Sequence, residues 1–144
     1  RVNGVWVVDD YAHHPTEIGV TLKAALQTKP QRLICVFQPH RYTRTQLLFN
    51  EFCACFKGCD KLIVTDIYAA SEEPIEGVNS QKLAEGIKKT SGVDVEYVPS
   101  MAEIENYLAA NARTGDLVMT IGAGDVYKVG EALVADLQRS NENV

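Results

Sequence analysis

Several classes of protein are ruled out by what the chain has little of. No run approaches the ~20 apolar residues that a membrane span needs, so a transmembrane role is not expected. Positive charge is in deficit: 14 Lys and Arg face 19 Asp and Glu, for a formal net charge of -5. A nucleic-acid backbone demands a basic surface, so general nucleic-acid binding is not expected either. Histidine is scarce, with three in all (His13, His14 and His40), and they form neither the two-histidine helix motif of metalloproteases nor a histidine triad. The four cysteines do not read as a zinc site, because Cys35 lies in an apolar strand pattern while Cys53 and Cys55 are two apart on a helical one, where side chains diverge; Cys59 stands alone. Nor does a chain with an ordinary core need a disulfide framework, so buried reduced thiols, suited to the cytoplasm, are expected. There is no G-x-x-x-x-G-K-[ST] P-loop. Gly122-Ala123-Gly124 starts like a dinucleotide fingerprint, but Tyr127 replaces its third glycine and the stretch follows the last strand, not the first. It reads better as a tight turn where the backbone approaches a ligand or neighbouring loops. The chain opens Arg1-Val2-Asn3-Gly4 with neither an initiator methionine nor a secretion-signal pattern, so it is expected to be a piece of a longer polypeptide.

What is present is a regular alternation. With 46% hydrophobic and 23% charged residues over 144 positions, the chain has the composition of one globular domain able to bury a core. Val5 to Val8 reads as a strand, and Pro15 suits the first turn of a helix carrying Ile18, Leu22, Ala25 and Leu26. Arg32 to Phe37 is a nearly continuous apolar run, the mark of a strand covered on both faces. A helix from about Thr43 to Lys57, a strand from Lys61 to Ile67 and a long loop from Tyr68 to Ser80 follow. Ser80 is placed to cap a helix reaching about Thr90, before a short strand from Val93 to Val98. Ser100 and Glu103 form a capping-box pattern for a helix through Ala110. Asp116 to Ile121 is the last strand, and a final helix ends near Gln138, leaving Arg139 to Val144 as a frayed tail. This order predicts an α/β, Rossmann-like, three-layer αβα fold over residues 1–144, with a mainly parallel sheet of five to six strands.

In such a fold the strand-exit loops share one edge of the sheet, so Asp9 to His14, His40 to Arg44, Tyr68 to Glu73 and Gly122 to Asp125 are predicted to face a common crevice. Arg41 and Arg44, three apart at a helix start, suit a clamp for a carboxylate or phosphate, with solvated helix-start residues as the plain alternative. For His13 or His14 alone, a hydrogen bond that anchors the loop is the plainer role; the company of His40 and the arginines is what favours chemistry. A metal site is the weaker possibility.

Four stretches carry a resemblance. Asp9-Asp10-Tyr11-Ala12-His13-His14-Pro15-Thr16-Glu17, Phe37-Gln38-Pro39-His40-Arg41-Tyr42-Thr43-Arg44-Thr45, Asp66-Ile67-Tyr68-Ala69-Ala70 with Glu73-Pro74-Ile75, and Gly122-Ala123-Gly124-Asp125-Val126-Tyr127-Lys128 closely resemble the carboxyl-terminal domain of the Mur ligase family. The match runs over essentially the whole chain. The Asp-Tyr-Ala-His-x-Pro core is shared with folylpolyglutamate synthases, whereas the stretch through Arg44 resembles the alanine-adding branch. The resemblance implies one domain of a cytoplasmic, ATP-dependent carboxylate-amine ligase of peptidoglycan synthesis, with roles in cell shape and division. That enzyme adds L-alanine to UDP-N-acetylmuramate through an acyl phosphate. It implies that an amino-terminal domain for the UDP-sugar and a central domain for ATP and Mg2+ lie outside this chain, which alone is inactive. By the same resemblance Arg41 and Arg44 hold the alanine carboxylate, Tyr11, His13 and His40 line the pocket, and Asp10 reaches the ATP ribose. A neutral histidine, with His13 a candidate, would take the proton that the alanine ammonium loses. Ala12 stands where the alanine-adding branch commonly has glycine, as it does in sister ligases, and little effect is expected; Ser71 replaces the usual glycine after Ala69-Ala70, and an altered loop path is expected there. Alternatives are a sister Mur or murein-tripeptide ligase domain, or a non-catalytic nucleotide- or anion-binding module.

Overall fold

The computed structural model describes residues 1–142. Its chain order is β1 (Trp6–Asp10), α1 (Pro15–Gln27), β2 (Arg32–Phe37), α2 (Tyr42–Leu47), α3 (Phe49–Ala54), β3 (Lys61–Val64), α4 (Ser80–Ser91), β4 (Val95–Tyr97), α5 (Met101–Asn111), β5 (Asp116–Ile121) and α6 (Tyr127–Glu142). The strands form one five-stranded sheet in the order β1-β5-β2-β3-β4, and every pairing is parallel. Parallel neighbours require crossovers, and the helices that make them cover both faces. On one face Ile18 and Leu22 of α1, Phe52 of α3 and Leu83 and Ile87 of α4 pack on Leu33, Phe37, Leu62 and Ile121. On the other, Ile104 and Leu108 of α5 and Val129 and Leu133 of α6 pack on Ile34, Val36, Ile63 and Val118. Thus α/β, three-layer and Rossmann-like describes the molecule, as the alternation predicts. Phe37, Phe52 and Phe56 are fully buried, each burial being worth about 1.5–3 kcal/mol against exposure.

Register brings the strand ends to one level. Asp10 pairs with Ile121, Ile121 with Phe37, Phe37 with Val64, and Val64 with Tyr97. The loops leaving these strands therefore start side by side. The helices that follow β1 and β2 lie on one face, whereas α6, which follows β5 between them, lies on the other. A crevice opens where neighbouring strands send their loops to opposite faces, here beside the end of β5.

Several boundaries differ from the sequence reading. β1 runs on through Asp9 and Asp10, because ladder pairing uses the main chain and Asp9 finds a partner in Thr120 Oγ1 at 2.6 Å. β3 ends at Val64 and β4 spans only Val95–Tyr97. The helix expected from Thr43 to Lys57 is two short ones, interrupted at Leu48, whose φ of -109° and ψ of 22° leave the helical region. Asn79, not Ser80, caps α4, accepting from Lys82 N at 2.9 Å, and Ser80 is buried as the first helical residue. Ser100 accepts from Glu103 N at 3.3 Å, the half of the capping box that the structure displays. The tail expected to fray from Arg139 stays helical to Glu142; residues 143–144 lie outside the described residues. All four cysteines are free thiols, but Cys55 is only half-buried, and burial pushes its thiol up to about 12. No helix of the described residues is long and apolar enough to cross a membrane.

Candidate functional site

The four predicted loops meet, and identifiable bonds join each to the next. Gly122 N donates to Asp10 O at 3.0 Å, tying the β5 exit to the β1 exit. Buried Gln38 joins the β2 and β5 exits: its Nε2 donates to Asp125 Oδ1 at 2.7 Å and its Oε1 accepts from Val126 N at 3.3 Å. A parallel bridge between His40 and Tyr68 prolongs the sheet past β2 and β3, with Arg41 N donating to Tyr68 O and Tyr68 N to Pro39 O, both at 2.8 Å. The glycine turn is a close backbone approach: a Cβ on Gly124 would lie 2.5 Å from Gln38 Oε1 and 2.6 Å from Tyr68 Cγ. That is the reading the sequence favours over a cofactor fingerprint.

Along the crevice runs a row of rings. Tyr11 meets His13 edge to face at 6.0 Å between centroids, His13 lies 5.8 Å from His40, and His40 stacks on Tyr68 at 5.6 Å. Tyr11 is exposed, while His13 and His40 are half-buried. His13 is aimed by its own loop: its Nδ1 lies 3.1 Å from Tyr11 O, and Glu17 Oε1 accepts from the main-chain N–H groups of His13 and His14 at 3.3 and 3.1 Å. Those two bonds, that of His13 first, hold the Glu17 carboxyl below its ordinary value. His14 has the plainer role. It is the N-cap of α1, taking Thr16 N on its Nδ1 at 3.2 Å.

The arginine pair is arranged otherwise than a simple clamp at a free helix end. Arg44 turns back on His40, with Nη1 3.0 Å from His40 Nδ1 and 3.4 Å from its carbonyl oxygen. Arg41 is exposed, sits at a φ of 73°, and its guanidinium makes no hydrogen bond or ion pair among the described residues. The start of α2 is already taken by Glu72, whose Oε1 accepts from Tyr42 N at 2.6 Å and Thr43 N at 3.2 Å and whose Oε2 accepts from Thr43 Oγ1 at 2.5 Å. The Thr43 hydroxyl first, then burial opposed by the two amides and the Arg41 charge, leave this carboxyl below its ordinary value. Burial first, and then the charges of Arg44, His13 and Arg41, hold His40 below the ordinary histidine range. His40 thus lies beside cations that disfavour its protonation, and the remaining N–H groups of Arg44 together with the exposed Arg41 leave positive charge at the crevice.

Asp10 ends β1 with its carboxylate held at both oxygens: Oδ1 accepts from Ala12 N at 2.8 Å and Oδ2 from Thr21 Oγ1 at 3.0 Å. It borders an open depression of about 490 Å3 together with Tyr11, His13, Thr16 and Glu17. A larger depression of about 780 Å3 adjoins it, sharing Asp10, Val20 and Thr21 and extending along Trp6, Val8, Leu117 and Met119, with no histidine on its walls. Neither depression has His40, Arg41 or Arg44 on its walls. Sequence reasoning places Tyr68, Glu72, Gln38 and Asp125 in or beside the crevice loops without giving them a role, although Tyr68, Gln38 and Asp125 all lie in the four stretches that carry the resemblance. Among the described residues no three His, Cys, Asp or Glu side chains gather to hold a metal ion.

Fold and site together define a doubly wound α/β domain whose ligand crevice lies at the carboxyl ends of its strands. The chain belongs to the Mur ligase family: the family model described as "Mur ligase, glutamate ligase domain" matches residues 1–124. It is 51% identical over 143 residues to the UDP-N-acetylmuramate--L-alanine ligase of Syntrophus aciditrophicus, covering 99% of this chain and 30% of that protein. It is 52% identical over 136 residues, 94% of this chain and 30% of the relative, to the ligase of the same name from Trichlorobacter lovleyi. Among solved structures, the UDP-N-acetylmuramate-alanine ligase of Thermotoga maritima shares the fold with a TM-score of 0.76 at 24% identity, covering 96% of this chain and 28% of that one. The chain therefore spans about 30% of the length of the relatives it matches.

Proposed function

We propose that this chain is the carboxyl-terminal, amino-acid-binding domain of a cytoplasmic ATP-dependent ligase that joins L-alanine to UDP-N-acetylmuramate in peptidoglycan synthesis. The observation that carries the reading is identity of about half of all positions, over nearly the whole chain, to ligases named for that reaction. The crevice suits it chemically. A small amino acid offers little to grip except its carboxylate, and guanidinium N–H groups match that shape. Arg44, steadied by His40, and Arg41 would take the carboxylate, and Tyr11, His13 and His40 would line the space for the amine. Asp10 has an unused lone pair on each oxygen and fits a ribose hydroxyl of ATP when the domains close. Magnesium and the ATP phosphates are assigned to the central domain, with no cluster of three ligating side chains among the described residues here. Bound there, they supply the activation of the muramoyl carboxylate as an acyl phosphate.

The test is ATP-dependent phosphate release by the full-length parent with UDP-N-acetylmuramate, offered L-alanine, glycine, L-serine or the murein tripeptide separately. A strong preference for L-alanine that is lost in Arg44→Ala is expected. Preference for the tripeptide would replace the reading with a recycling ligase. Absence of turnover with every candidate, alongside nucleotide binding by this chain alone, would favour a non-catalytic module.

A further inference from the structure

We infer that the two crevice histidines are locked in opposite tautomers, so that His13, through Nε2, takes the proton from the incoming ammonium and His40 can only donate. The inference rests on the ligase reading for its substrate but on bonding for its assignment. Tyr11 O has lone pairs and no hydrogen, so its 3.1 Å contact with His13 Nδ1 requires the proton on that nitrogen. Glu17 Oε1, 3.9 Å from the same nitrogen, favours the same state. The neutral His13 ring then carries its free lone pair on Nε2. His40 is the converse. Its Nδ1 faces Arg44 Nη1 at 3.0 Å, and a guanidinium is a donor that keeps its protons, so His40 Nδ1 must accept and its proton must sit on Nε2.

The chemical consequence is a division of labour across 5.8 Å between ring centroids. A base needs an open lone pair and a surrounding that tolerates the cation it becomes. His13 has both. After protonation, Nδ1–H still points at Tyr11 O and Glu17 still stands nearby. His40 has neither, because its only lone pair is spent on Arg44, and burial together with Arg44, Arg41 and His13 opposes a second charge. His14 is excluded because its Nδ1 holds Thr16 N at the start of α1. The step balances simply. One ammonium N–H bond breaks, its electron pair stays on nitrogen, and the proton bonds to His13 Nε2 to give an imidazolium. The freed amine forms its bond to the acyl carbon, phosphate leaves with the carbon–oxygen pair, and nitrogen gives up its second proton to solvent as the amide forms. His40 Nε2–H remains to donate to an oxygen acceptor of the substrate.

Two measurements on the full-length ligase test this. Ring 15N spectra of histidine-labelled protein, with signals assigned by His13→Gln and His40→Gln, are expected to show the proton on Nδ1 of His13 and on Nε2 of His40. The same tautomer in both, or the reverse pair, overturns the assignment. In kinetics, His13→Gln is expected to slow L-alanine turnover by about 10²-fold or more, the usual scale of general-base assistance. Hydroxylamine, already unprotonated at neutral pH, should be used nearly as well as by the wild type, and the residual L-alanine rate should climb with pH. The groups facing His13 in that profile are Tyr11 and Glu17 from its own segment, and His40 with Arg44 and Arg41 from the β2 exit. Equal loss with both nucleophiles means a structural role and overturns the proposal. A wild type that turns over no L-alanine overturns the ligase reading instead, and the spectra still decide the tautomers.

Discussion

At the scale of single residues, the crevice gives several of its polar groups fixed partners, while the Arg41 guanidinium has none among the described residues. Arg44 shows how one side chain serves two ends: it consumes the lone pair of His40 Nδ1, and its charge, after burial, lowers that ring below the ordinary histidine value. Burial is the larger cause of the depressed His40 value, followed by Arg44, so removing the cation relaxes only part of the shift. Arg44→Gln is expected to move the midpoint of the His40 ring-proton titration upward, towards but not onto the ordinary histidine value near 6.5. An unmoved or lowered midpoint would show that the guanidinium does not set the state of the ring. The sign matters for stability as well. A histidine whose folded value is depressed contributes stability above its unfolded value near 6.5 and loses it as the pH falls through the folded one. Arg44→Gln should therefore narrow the pH window over which that loss occurs.

At the scale of elements, β2 and β5 were legible to the residue, because a nearly continuous apolar run marks a strand covered on both faces. The meeting of the four exit loops was legible too, since parallel topology forces it. What could not be read was set by partners distant in sequence. Leu48 breaks a helix that periodicity alone would continue, and the α2 start is claimed by Glu72, about thirty residues on, with no local signal to announce it. That carboxylate has a consequence for the pocket. It clasps the loop after β3 to the segment that carries His40, Arg41 and Arg44, where Arg41 holds a φ of 73° that a non-glycine residue adopts only under constraint. Ser71, next to Glu72 and also at a φ of 73°, has a backbone shape that glycine adopts more readily than serine. In the full-length enzyme, Glu72→Ala is expected to raise the KM for L-alanine while sparing the KM for ATP. Glu72→Gln should lie between Ala and wild type, because its amide oxygen still accepts from the helix start. Equal rises in both KM values would mean a general loosening and would remove Glu72 from the positioning of the pocket.

At the scale of the whole molecule, the two ends of the sheet are built for different purposes. The end where strands finish carries exposed or half-buried polar groups arranged around open space, whereas the end where they begin carries a closed ionic clasp. Arg32 Nε and Nη2 reach the two oxygens of buried Asp116 at 2.9 and 2.6 Å, Nη2 also donates to Asn111 O at 2.9 Å, and Arg113 N donates to Asp116 Oδ2 at 2.9 Å. This clasp pins β2, β5 and the end of α5 together far from the histidines. Burial pushes the Asp116 carboxyl up, but the bonds from Arg32 and then Arg113 outweigh it, so the group sits below the ordinary carboxylate value. A carboxylate depressed in the folded state contributes stability above its unfolded value, near 4, and that contribution is lost as the pH falls through the folded value. Asp116→Asn is thus expected to cost about 2–3 kcal/mol at neutral pH, since it leaves a charged hydrogen-bonding partner unmatched. It should also flatten the fall in stability between about pH 5 and pH 2. Urea unfolding across that range, paired with the L-alanine KM of the full-length variant at neutral pH, separates the two ends. A lower urea midpoint with a flatter acid limb and an unchanged KM is the outcome that a stabilising end and a working end require, and a shifted KM would show that strain at the strand starts reaches the crevice through the ladder of β5.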